Sequence, residues 1–137
     1  MSDIETIISL YKKFDKYKKY KDIELLLHIL PSYILKQCKL HKQGDEVIGF
    51  TNWAYLNDAA EKVFIDTGEI ELDQWNSGNN LWHVDTVCVK NLNKIMAWTK
   101  KYFTEKFGSN HPINWLRISN EHKIYRKATR LTKESWK

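Results

Sequence analysis

Phe50-Thr51-Asn52-Trp53-Ala54-Tyr55-Leu56, Trp75-Asn76-Ser77-Gly78 and Leu81-Trp82-His83-Val84-Asp85 are the three runs whose reading decides the fold. The first continues from a strand over Glu46–Thr51. The second opens the turn cluster Ser77-Gly78-Asn79-Asn80, and the third continues through Val87 to Val89 as a β-branched strand. Asp85 sits inside this apolar segment, where a carboxylate without a partner is costly to bury. It therefore lies at the open end of its strand or serves a purpose there.

Working outward, Ile4, Ile7, Ile8, Tyr11 and Phe14 form a helical stripe. Tyr17 to Lys21 breaks it. A second helix follows with Asp22 as N-cap and Ile23, Leu26, Leu27 and Leu30 as its apolar face, ended or kinked by Pro31. Cys38–Lys42 and Glu46–Thr51 read as a hairpin around Gly44-Asp45. Asn57 caps a helix through Ala59, Ala60, Val63 and Phe64 that closes near Gly68, and residues 69–75 are a connector. After the strand at 81–89, Asn93 caps a helix with Ile95, Trp98, Tyr102 and Phe103 on one face and Gly108 beyond its end. Ile113 to Ile118 is a further strand, and the last twenty residues read as basic and partly helical. This order predicts an α/β fold: a mixed sheet with helices packed on it and a right-handed crossover from the third strand to the fourth.

A chain of 137 residues is expected to be one domain, and 42% hydrophobic with 13% aromatic residues fits a folded globule. Cys38 and Cys88 have neither metal-ligand spacing nor a bridge framework, and no metal site is expected. With no basic leader at the N-terminus and no apolar run of about eighteen residues, a cytoplasmic protein without a membrane span is the expectation. The formal charge is +5, and the residues from Arg117 to Lys137 account for all of it. No RNA- or DNA-recognition motif accompanies that charge, so it does not by itself indicate nucleic acid.

In their order and spacing, Leu30-Pro31, the Asn52-Trp53-Ala54-Tyr55-Leu56 strand end, the Trp75-x-Ser77-Gly78 turn and the Trp82-x-x-Asp85 strand resemble the RTX toxin-activating lysine-acyltransferases. The likeness runs over about residues 17–118, leaving 119–137 as a basic C-terminal segment. It implies a GNAT-like fold, mostly antiparallel, and transfer of a fatty acyl group from acyl carrier protein to the ε-amino group of an internal lysine. It also implies a homodimer and no bound cofactor. The family's catalytic pair is a histidine before the Leu-Pro helix and the aspartate of Trp-x-x-Asp. Asp85 matches the aspartate, whereas the histidine's place is taken by Tyr17. An altered member of the fold acting as a protein-binding module is the alternative.

A lysine attacks a thioester only as the free amine, so a base is needed. Regular strand alternation puts His83 on the face of Asp85, making His83 the candidate base, with Asp85 as its orienter or as the base itself. His83 can equally be a plain strand residue beside aromatics. His28 reads as a core-edge or solvent-facing helix residue that would reach the site only if the chain bends sharply after Tyr17. Tyr17 is a poor base at its ordinary pKa, but its hydroxyl can donate to an oxyanion. Trp53, Trp75 and Trp82 are expected as core or pocket walls lining an acyl groove, with Ser77 and Gly78 in the substrate-binding turn. The loop Lys90-Asn91-Leu92-Asn93 has no glycine to cradle a diphosphate, which fits a carrier-protein donor better than free CoA. Arg126, Lys127 and Arg130 offer an acidic carrier protein a docking surface.

Overall fold

The computed structural model describes residues 2–118 and 125–132, without the side chains of 117, 118, 125 and 126. Helices α1 (Asp3–Tyr11), α2 (Asp15–Lys18) and α3 (Asp22–Ile34) precede strands β1 (Cys38–Gln43) and β2 (Glu46–Leu56). Then come α4 (Asp58–Thr67), β3 (Asn80–Cys88), α5 (Leu92–Phe107), β4 (Pro112–Ile118) and β5 (Tyr125–Leu131). The strands form one mixed sheet in sequence order, antiparallel at every junction except β3–β4, where α5 makes the crossover. This is the expected GNAT-like architecture.

The β2–β3 register assigns the two faces of the sheet. Phe50, Asn52 and Ala54 share one face with their partners Val87, Asp85 and Trp82; Thr51 and Trp53 share the other with Thr86 and His83. On the first face, Phe50 and Val87 pack with Ile7, Leu10 and Tyr11 of α1 and Leu25 and Ile29 of α3. Ala54 and Trp82 pack there with Ala60 and Phe64 of α4. On the second, Trp53 packs with Phe103 of α5. A strand covered on both faces loses simple alternation of burial, and β2 is buried from Ile48 through Ala54.

Asn57 caps α4 as expected, its Oδ1 accepting from the Ala60 N–H at 2.7 Å, and Gly68 closes the helix at φ 76°. Elsewhere the structure corrects the reading. Pro31 lies inside α3, which runs one turn further to Ile34. Lys21, not Asp22, is the N-cap of α3, and Asn91, not Asn93, that of α5. The basic C-terminal segment contributes a strand, β5, where helix was expected. Most consequentially, α3 buries Leu25, Ile29 and Ser32, leaving Ile23 and Leu27 of the expected core face exposed.

The 69–79 connector is stapled to the end of β2. Ser77 and Gly78 both donate their backbone N–H to Tyr55 O, and Ser77 Oγ accepts from the Asn57 N–H at 3.0 Å. A Cβ at Gly78 would lie 2.5 Å from Asn57 Cα and 2.6 Å from its nitrogen. Gly78→Ala is therefore expected to destabilise by about 1–3 kcal/mol, read as a lower urea midpoint. An unchanged midpoint would show that the connector gives way freely.

Candidate active site

Asp85 reaches its position through a break in the β2–β3 register. Asn52 faces Asp85 and Trp53 faces His83, so Val84 is an extra residue in β3. A bulge of this kind re-aims the side chains that follow it. Asp85 turns toward the helices of the first face and takes three partners there. Tyr11 of α1 donates its hydroxyl to Oδ2 at 2.8 Å, Tyr17 of α2 donates to Oδ1 at 3.4 Å, and His28 Nε2 of α3 lies 2.6 Å from Oδ2. A polar chain fixes α3 against the strands. The Asp85 N–H donates to Asn52 Oδ1, Asn52 Nδ2 donates to Ser32 Oγ, and Ser32 Oγ donates to Ile29 O.

Burial alone would raise the Asp85 pKa. The His28 charge, with hydrogen bonds from His28 and Tyr11, outweighs that and holds it down to about 2. Burial likewise pulls His28 down, but the Asp85 carboxylate overrides it and the imidazole ends above its ordinary value. Burial and the same carboxylate push Tyr11 and Tyr17 well up, so both remain protonated donors. Proton binding is therefore linked to folding in opposite senses at the two groups. Asp85 stabilises the fold above its ordinary pKa and ceases to as pH falls toward 2; His28 does so below about 6.5 and ceases to as pH rises through its raised pKa.

The pair opens into a cavity of about 560 Å³ that also meets Lys16, Tyr17, Phe64, Trp75 and Leu116. Strands β3 and β4 pair at one rung, Trp82 with Asn114, and Val84, Asp85 and Leu116 line the cavity beyond it. Ligand sites in open α/β sheets favour such a crevice at the carboxyl ends of parallel strands. With Nε2 turned to the carboxylate, Nδ1 is the His28 nitrogen left to accept a proton.

Several expected site residues lie elsewhere. The bulge puts His83 on the opposite face of the sheet from Asp85, where its Nε2 is hydrogen-bonded to Thr86 Oγ1 at 2.6 Å. Trp53 is enclosed by Tyr102 and Phe103 of α5, and Trp82 by Phe64 with its Nε1 donating to Glu61 at 2.8 Å. Neither lines the cavity, and Ser77 and Gly78 hold the connector instead. Trp75 does line it, 6.3 Å from the His28 ring between centroids. On β5, Lys127 Nζ lies 3.5 Å from Glu61 and Arg130 lies over the Trp115 ring; the side chain of Arg126 is outside the described residues, as are Lys123, Lys133 and Lys137. The sequence admits His28 to the site only on a sharp bend after Tyr17, which the structure supplies, and it does not single out Tyr11 or Asn52. The one signal was the broken stripe at Tyr17–Lys21, the bend that brings α3 back to the strand.

Burial lowers both His83 and His41 to about 4. Such groups stabilise above pH 6.5 and lose that contribution as pH falls toward 4, because the unfolded chain takes up protons first. His41 is 5% exposed, faces Thr51 and Trp98, and should cost on the order of 2 kcal/mol of stability at pH 5 relative to pH 7. Urea denaturation of the native chain and His41→Gln at both pH values checks this; equal pH slopes would refute it.

The fold and site together define a GNAT-like α/β protein built around an imidazole–carboxylate pair. Its sequence matches the RTX toxin acyltransferase family over residues 4–132, and the chain belongs to that family. It is also 29% identical over 79 residues to an uncharacterized protein of Synechocystis sp., a match covering 56% of this chain and 54% of the relative. The chain thus spans about half the length of that relative. Among the described residues, no helix is long and apolar enough to cross a membrane, and no three His, Cys, Asp or Glu side chains gather as metal ligands.

Proposed function

We propose that the protein transfers a fatty acyl group from acyl carrier protein to the ε-amino group of a lysine in a protein acceptor. The observation that carries this reading is the 2.6 Å His28–Asp85 pair at the wall of the cavity. The lysine enters as the free amine, its ammonium proton released to solvent, and attacks the thioester carbonyl. Asp85 holds the Nε2–H, so Nδ1 takes the proton that the attacking nitrogen loses as the C–N bond forms. The C–S bond breaks, and His28 passes that proton to the departing thiolate. Tyr17, kept protonated, lines the cavity and donates its hydroxyl to Asp85 at 3.4 Å, helping to hold the carboxylate in place. Arg126, Lys127 and Arg130 supply positive charge for an acidic carrier, so the carrier's KM should rise with salt.

A protein-binding module is the second reading, favoured by Tyr17 standing where the family's histidine is expected. Intact mass of a lysine-containing acceptor, measured after incubation with acyl-loaded carrier protein, separates the two. A gain of one acyl group is expected. No gain from the native protein, with a gain from Tyr17→His, would establish the binding module.

A further inference from the structure

Helix α3 is apolar on two sides. Its buried side faces the sheet, yet Leu27 is 46% and Ile34 66% exposed. Leu27, Leu30, Ile34 and Leu35 follow at helical spacing, a stripe about 12 Å long on the axis. Facing it is the 69–79 connector, with Leu72 60% exposed and Trp75 buried. Between them runs a groove of about 440 Å³ whose polar side chains are Asp73 and Asn76. Leu27 and Trp75 line both this groove and the cavity of His28 and Asp85. The two spaces are therefore neighbours, with Leu27 and Trp75 as their shared wall.

We propose that the groove holds the hydrocarbon chain of the acyl donor, its carbonyl end at His28 and its methyl end toward Ile34 and Leu35. This inference rests on the acyl-transfer reading and names where the substrate's length is measured. An exposed apolar stripe of this extent calls for a cover. An unbranched chain without donors or acceptors suits a groove with so few polar partners, and the groove's place beside the cavity, across Leu27 and Trp75, sets which end lies toward His28. A short acyl group would leave Leu30 and Ile34 in water. Each methylene that enters should tighten binding roughly fourfold until the stripe is covered.

The test uses the full chain in two assays. Nuclear magnetic resonance shift mapping with S-octanoyl-N-acetylcysteamine, a thioester without its carrier, should move Leu27, Leu30, Ile34, Leu72 and the Trp75 indole. Transfer from octanoyl- and butyryl-loaded carrier should favour octanoyl, and Leu72→Asp should cut that preference at least tenfold. Leu72 is exposed, so the variant is expected to fold. Shifts in the groove with no transfer from any carrier would overturn the enzyme reading and leave the groove standing. Shifts elsewhere, or a native chain-length preference in Leu72→Asp, would overturn the groove. So would concentration-dependent broadening of the same resonances without thioester, which would assign this face to a second copy of the chain.

Discussion

Asp85→Asn is expected to fold like the native protein and to lower acyl transfer by about 10⁴-fold, as when a histidine's carboxylate partner becomes an amide and fixes the wrong tautomer. The native carboxylate accepts from Tyr11, Tyr17 and His28 at once. An amide keeps one acceptor oxygen and presents N–H groups. Turned toward His28, these make Nε2 the acceptor and move the ring proton to Nδ1, where the lysine's proton would have to go. The pH profile adds a signature that mere loss of shape would not give. Asp85 raises the His28 pKa, so the native acid limb of kcat/KM should lie above pH 6.5. Without that charge, burial and Lys16 pull the same group down, and the limb should shift to lower pH. Full activity with an unmoved limb would remove Asp85 from the chemistry.

Much of the fold was legible because local signals agreed. The Asn57 cap, the Gly68 stop, the hairpin and the α5 crossover each had a turn or cap residue in place. Reading failed where tertiary structure overrode the pattern. Helix α3 is apolar nearly all round, so its sequence does not say which side meets the sheet; the Ser32–Asn52 hydrogen bond fixes the rotation, and it is invisible to periodicity. Pro31 stays inside that helix although its ring removes the N–H that would bond Leu27 O, and the helix ends three residues later at Ile34.

The site itself turned on a single inserted residue. With strict alternation His83 and Asp85 share a face; with Val84 bulged they do not. Nothing in Trp82-His83-Val84-Asp85 announces a bulge, as its residues all suit a strand. Likewise, His28 is eleven residues beyond Tyr17 in sequence, far along the axis of a continuous helix. The break between α2 and α3 folds that distance away, leaving the two rings 6.5 Å apart between centroids. Trp53, Trp75 and Trp82 misled for a different reason: a side chain of that size serves core packing as readily as a pocket wall, and of these three Trp75 alone does the latter.

His28→Ala is the substitution that decides which residue moves the proton. It is expected to cost between about 10² and 10⁴ in kcat/KM, the range for removing a positioned general base. His28 sits near the cavity with its side chain 38% exposed, so little packing is lost and the urea midpoint should change only modestly. Tyr17→Phe should cost less than about tenfold by comparison. Its hydroxyl stands 3.4 Å from Asp85, at the long end of hydrogen bonding, and its raised pKa keeps it from acting as a base. His83→Ala, on the far face of the sheet, should retain transfer. If instead Tyr17→Phe or His83→Ala silenced the protein while His28→Ala did not, the proton would travel by another route, and the 2.6 Å pair would be a structural tie between α3 and β3.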